Sequence, residues 1–221
     1  MLEAKIIYLR ERIMEMAALV EKMISDSVQG LASGNEATLR GVYENETRAN
    51  QLEIEIDELC TRLIALHEPR AKDLRLILMI MKMNSDLERI GDHAVNIAQS
   101  AAYLIVRPPV KPLVDIPRLA EEAVAMLRDS IASFIREDEG LAGSVLARDD
   151  RIDALRDQVF RELITYMLSD AATIERSLQL MRVTQNLERA ADLSTNICED
   201  VIYLVNGKVV KHGRFEPEGG L

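Results

Sequence analysis

The stretch Leu87-Glu88-Arg89-Ile90-Gly91-Asp92-His93-Ala94-Val95-Asn96-Ile97 returns 100 residues later as Leu187-Glu188-Arg189-Ala190-Ala191-Asp192-Leu193-Ser194-Thr195-Asn196-Ile197. Each copy lies in a long proline-free run whose apolar residues recur three and four apart, the spacing of one helix face. Upstream the match continues at an offset of 103. Asp26-Ser27 aligns with Asp129-Ser130, and Val42, Glu46, Leu52 and Ile56 align with Val145, Asp149, Leu155 and Val159. A difference of three residues in the loop before the last helix of each half accounts for the change of offset. Charged and apolar positions repeat together, which helical periodicity alone does not produce. The expected fold is all-α: two tandem three-helix bundles, six long helices, related by a pseudo-twofold internal repeat.

Punctuation between the helices supports this division. Ser33-Gly34-Asn35 stops a first helix and caps a second, which runs to about His67. Glu68-Pro69 is expected to open the third helix, with proline in the first turn where its missing N–H costs nothing. Arg107-Pro108-Pro109-Val110-Lys111-Pro112 cannot be helical throughout, because each proline removes a donor and restricts its neighbour. Asp115 and Pro117 prepare a fourth helix, a single fifth is expected from Asp138 to Leu168, and Ser169-Asp170 caps the sixth. The domain expectation is a first repeat over 1–107, a Pro-rich linker over 108–116, a second repeat over 117–207 and a loose tail over 208–221.

Composition narrows the function classes. The 221 residues are 48% hydrophobic, enough for a packed core. A formal net charge of -10 opposes general nucleic-acid binding, which needs an excess of Lys and Arg, and favours cations or a basic partner. No apolar run reaches the roughly 20 residues that span a bilayer, and the N-terminus lacks a signal-peptide core, so a cytoplasmic protein is expected. The two cysteines, Cys60 and Cys198, fall in apolar helical patterns and support neither a disulfide framework nor a Cys-based metal site.

The informative residues are acids in stripes that should be apolar. The ladder Leu39, Val42, Ala49, Leu52, Ile56, Cys60, Leu63 is interrupted at Glu46, and Asp149 interrupts its counterpart; one turn onward lie Asn50 and Asp153. The third helix carries Leu74, Leu78, Met81, Ser85, Glu88, Asp92, Asn96 along one face, and the sixth repeats the change from apolar to acidic through Glu188 and Asp192. Carboxylates four apart on a helix lie about 6 Å from each other and repel, so they require positive company. One source is Arg89 and Arg189, pairing across a helix interface. Another is a metal held between facing helices, as carboxylate bundles do. Glu46, Asn50, Glu88 and Asp92 form the candidate metal site of the first half, and Asp149, Asp153, Glu188 and Asp192 that of the second. Oxygen donors suit magnesium, calcium, manganese or ferric iron, with zinc also possible. Asn50, a neutral ligand, points to weaker binding in the first half. Spacing alone leaves metal sites, salt-bridge networks and solvent-facing acidic patches all open.

Ser85-Asp86-Leu87-Glu88-Arg89-Ile90-Gly91-Asp92-His93-Ala94-Val95-Asn96-Ile97, preceded by Ile64 through Arg75, resembles the first signature of the PhoU family of phosphate-uptake regulators; Asn186 through Asp192 followed by Asn196-Ile197 resembles the second. The resemblance covers roughly residues 1–211. It implies two PhoU-type three-helix bundles and a non-enzymatic negative regulator. Such a protein contacts the ATPase of the phosphate ABC transporter and the sensor histidine kinase of phosphate-starvation signalling, and meets the membrane only through them. It further implies a homodimer and multinuclear metal clusters, iron among them, at Glu88, Asp92, Glu188 and Asp192 first, then Glu46, Asp149 and Asp153. Two other readings of the same acids are a metal-storage or metal-dependent hydrolytic bundle and a purely structural scaffold in which the acids form arginine pairs.

Overall fold

The computed structural model describes residues 2–206, and they contain helices and connecting turns but no strand. Helices α1 (Leu2–Ser33), α2 (Glu36–His67) and α3 (Ala71–Ile105) form the first bundle. Helices α4 (Asp115–Arg136), α5 (Glu139–Leu146), α6 (Asp149–Ser169) and α7 (Ile174–Asn206) form the second. The all-α fold of two three-legged repeats is therefore present, with the fifth leg in two pieces. The tail expected over 208–221 lies outside the described residues.

The turns follow local chemistry. Gly34 takes φ +65, the left-handed conformation that closes α1, and Asn35 caps α2 by accepting from the N–H groups of Ala37 and Thr38 at 3.0 and 3.3 Å. The α1–α2 corner is tight: a Cβ on Gly30 would lie 2.4 Å from Leu39 Cδ2, so a larger residue there must push the buried Leu39 side chain aside.

Two sequence expectations are corrected. The third helix does not open at Glu68-Pro69. Glu68 (φ 43, ψ 56) closes α2 in the left-handed conformation of a helix C-cap, and α3 starts only at Ala71 after extended Arg70. The fifth helix is not continuous either. The chain turns at Ala147-Arg148, where Arg148 N–H donates to Val145 O at 2.9 Å and its guanidinium pairs with Asp129 of α4. This break places Asp149 and Asp150 in the first turn of α6, where the aligned peptide dipoles favour negative charge.

The repeats share one core. Helices α3 and α7 pack antiparallel along their length, marked by Lys82–Asp200, His93–Asn186 and Tyr103–Glu175 contacts. Helices α1 and α4 cross antiparallel beside them, with Arg10 on Glu137 and Arg128 on Glu21. Leu87, Ile90, Leu187, Ala191 and Phe134 are all essentially solvent-free. Cys60 and Cys198 are buried free thiols that burial pushes up to about 12, so neither is poised as a nucleophile.

The proline-rich connection is pinned to the second bundle. Lys111, with 2% of its side chain exposed, lies 2.8 Å from Asp115 and pairs with Glu162 of α6, while Arg176 donates to Pro108 O. Hydrogen bonding to Lys111 lowers the Asp115 carboxyl, and its two acids raise the Lys111 ammonium despite burial. The depressed Asp115 contributes stability that is present above the ordinary carboxylate range and lost as pH falls through its folded value. The raised Lys111 contribution is lost only as pH rises above the ordinary lysine range. Lys111→Met should cost about 2–3 kcal/mol at pH 7, less than a fully buried pair because Glu162 stays partly hydrated. Denaturant melts of variant and parent at matched pH measure it.

Candidate functional site

Helices α2 and α3 bring Glu53, Asp57, Glu88 and Asp92 into one another's field. Burial, then Asp92 and Glu53, holds the Glu88 carboxyl above its ordinary range; Arg89 opposes this. Burial, then Asp57 and Asp92, does the same to Glu53. Asn84, wholly buried on α3, fixes the arrangement: its Nδ2 donates to Asp57 Oδ1 and to Glu53 O, both at 3.0 Å. Both partners are acceptors, so the amide cannot be turned round, and its buried Oδ1 is left without a donor.

The second repeat gathers a different set. Burial, then Glu188, Asp149 and Asp153, pushes Asp192 up to about 6, with Arg156 opposing. Asp149 is raised by burial and by Asp153, Asp150 and Glu188. Arg156 Nη1 lies 2.5 Å from Glu188 Oε1 and 3.0 Å from Asp153 Oδ1, and its Nη2 reaches Asp157 at 3.0 Å.

All four second-half candidates, Asp149, Asp153, Glu188 and Asp192, thus lie within one electrostatic neighbourhood. In the first half Glu88 and Asp92 do; Glu46, half-buried, acts on Tyr43, and Asn50 is solvent-exposed, as Asp57 and Asp92 are. Glu53 and Asp57 join Glu88 and Asp92 there; the ladder reading passed over them because they flank the apolar stripe instead of interrupting it. The signal was available: 46, 50, 53 and 57 continue one helical line at spacings of four, three and four. Arg156, not Arg89 or Arg189, supplies the guanidinium; among the described residues neither of those two closes an ion pair. No three acid, histidine or cysteine side chains among the described residues are already gathered into a group able to hold a metal ion, so binding one requires side-chain rotation.

A groove of about 880 Å³ runs between α3 and α7 and reaches α6, lined by Arg89, His93, Asp149, Arg189, Asp192 and Glu199 among others. His93 Nδ1 lies 2.8 Å from Asn186 Oδ1, and burial lowers the imidazole below its ordinary value. Asp86, the counterpart of Asn186 on the other side of the pseudo-axis, is pushed up to about 6 by burial and then by Asp200. The native state therefore holds this proton to higher pH than the unfolded chain. The associated stability is complete below the ordinary value of 3.8 and is lost as pH rises through about 6. Asp86→Asn should raise stability by about 1–2 kcal/mol at pH 7.5 after allowance for solvent screening, and by nothing at pH 3.5. Paired thermal melts at the two pH values check the sign.

The PhoU domain family matches residues 13–101 and 116–201, one match per repeat. The chain belongs to the PhoU family. It is 40% identical over 210 residues to the phosphate-specific transport system accessory protein PhoU homolog of Aquifex aeolicus, covering 95% of each chain. It is 33% identical to the phosphate-specific transport system accessory protein PhoU of Escherichia coli, covering 92% of this chain and 85% of that one. The crystal structure of PhoU from Pseudomonas aeruginosa superposes with a TM-score of 0.91 at 36% identity, over 94% of this chain and all of that one. The phosphate transport system regulatory protein PhoU from Streptococcus pneumoniae superposes with a TM-score of 0.86 at 27% identity. These PhoU relatives are named as accessory or regulatory proteins, not as enzymes. Among the described residues no helix is long and apolar enough to cross a membrane.

Proposed function

We propose that this PhoU-family chain is a non-enzymatic negative regulator of high-affinity phosphate uptake and phosphate-starvation signalling. It acts in the cytoplasm, as a homodimer, as a metal-binding adaptor between the ATPase of the phosphate transporter and the sensor histidine kinase, and it reaches the membrane only through them. The accessory and regulatory roles of its PhoU relatives support the phosphate-system part of this reading. The observation that carries the metal part is the first-repeat cluster, where mutually repelling carboxylates stand beside the donorless Oδ1 of buried Asn84.

The donor set fits a hard cation, being all oxygen and in excess of negative charge. Glu53, Asp57, Glu88 and Asp92 would hold it in the first repeat, and Asp149, Asp153, Glu188 and Asp192 in the second. Glu46 and Asn50, on the same line of α2, are further candidate ligands of the first repeat. Multinuclear iron is the form the family resemblance favours. Bound ions would supply the positive charge that these seams lack. The residues' own work is to fix the facing helices at a set separation and present a constant outer surface to partners.

The test is retention of the purified transporter ATPase and of the kinase's cytoplasmic part, separately, on the immobilised full chain. Capture of both supports the adaptor reading, and capture of neither removes it. Phosphoester turnover by the metal-loaded chain, lost in a Glu88→Gln, Asp92→Asn variant, would instead favour the hydrolytic alternative.

A further inference from the structure

The internal repeat sets matching scaffolds beside unmatched charges. The offset of 103 that aligns Leu52 with Leu155 and Ile56 with Val159 aligns Glu53 with Arg156 and Asp57 with Phe160. The alignment is also one of space. Glu53 acts on Glu88 of the first signature, and Arg156 contacts Glu188, the same residue of the second, at 2.5 Å. One helix position facing the signature acids therefore bears a carboxylate in one repeat and a guanidinium in the other. The exchange of Asn50 for Asp153 offsets that of Asp57 for Phe160 in charge. The remaining imbalance is the pair of charges that separates Glu53 from Arg156.

A second asymmetry points the same way. Asn84 aligns with Thr184. Asn84 keeps a buried oxygen with no donor, whereas Thr184 is satisfied, its Oγ1 donating to Leu180 O at 2.9 Å. The first seam is short of positive charge and of a partner for a buried oxygen; the second satisfies its threonine within its own helix and meets part of its charge with Arg156.

We infer that Arg156 is a resident counter-cation of the second repeat, so that the two acid clusters take metal unequally. The first cluster, built on Glu53, depends on an external cation and binds it tightly. The second is neutralised in part by Arg156 and takes metal only when the guanidinium gives up Glu188. This rests on the reading that these clusters bind metal, and it runs opposite to the ranking that neutral Asn50 alone suggests. Displacing an arginine from a carboxylate forfeits a charge-assisted hydrogen bond, worth roughly a ten- to hundredfold in affinity. A chain so built reports metal supply in two steps, with one repeat filled at low concentration and the other only at higher concentration.

The test is calorimetric titration of the metal-stripped full chain with Mn(II), the folded state of every variant being checked by circular dichroism. The parent should show two classes of site separated by about tenfold or more. Arg156→Gln should tighten the weak class by about that factor and leave the tight class unchanged. Glu53→Arg, which copies the second repeat into the first, should abolish the tight class and gives an independent arm should Arg156→Gln fail to fold. Equal affinities in the parent, or a weak class indifferent to Arg156→Gln in a folded variant, would overturn the inference while leaving the metal reading standing. Absence of Mn(II) binding in parent and variants alike would remove the metal reading, and the inference with it.

Discussion

Leu187→Ala should lower the stability of the whole chain by about 3–5 kcal/mol, and Leu87→Ala by a similar amount. Both side chains are wholly buried on the two helices that join the repeats. Truncation removes the transfer energy of the lost atoms and leaves a cavity that rigid neighbouring helices fill only in part. At this chain length the loss corresponds to a fall in Tm of roughly 10 °C. The pattern of melting is as informative as its size. Because α3 with α7 and α1 with α4 tie the bundles together, a single cooperative transition should shift as a unit for either substitution. A biphasic melt in which only the altered half moves, seen by calorimetry, would show that the repeats are independent.

The Glu88→Gln, Asp92→Asn double variant should lose metal binding in the first repeat by at least about a hundredfold and leave the second repeat's binding intact. The same variant, stripped of metal, should melt about 2–4 °C above the parent at pH 7.5. Glu88 is held above its ordinary range by burial, Asp92 and Glu53, so neutral amides relieve a repulsion that metal-free protein must bear. The two effects have opposite signs, which separates a site for cations from a structural salt-bridge network: in the latter, removing the acids destabilises the apo chain. Equilibrium dialysis with metal analysis, alongside melts in chelator, reads both.

Much of the architecture is legible in the sequence because the repeat carries it. The copies at Leu87–Ile97 and Leu187–Ile197 and the upstream match at Val42–Ile56 force two similar units, and Gly34-Asn35 and Asp170 mark their turns without tertiary help. The break at Ala147-Arg148 is not legible. Neither residue is a helix breaker, and the turn is held by Arg148 on Asp129, a partner on another helix. The start of α3 is misread for a local reason: Glu68 ends α2 in the left-handed conformation and Arg70 is extended, so Pro69 falls in the connection and not in a first turn.

The site is legible on one helix of each pair and not on its neighbour. Glu88, Asp92, Glu188 and Asp192 stand out because they replace apolar residues on a regular face. Which part of α2 meets them depends on how far α2 slides past α3, and periodicity carries no information about that. Glu46 interrupts the ladder but acts on Tyr43, while Glu53 and Asp57, about two and three turns on, share the seam with Glu88 under the hold of Asn84. In the second repeat the same uncertainty hid Arg156, whose alignment with Glu53 was visible but whose contact with Glu188 was not.

The central claim is that acids clustered along the helix seams of both repeats draw in cations. Diffraction from crystals grown with iron or manganese, recorded on each side of the metal absorption edge, tests it most directly. The account predicts anomalous peaks ringed by Glu53, Glu88 and Asp92 in one repeat and by Asp149, Glu188 and Asp192 in the other, the first at higher occupancy. Edge-dependent density absent from both seams, with Glu88 and Glu188 turned to arginine or water, would contradict it.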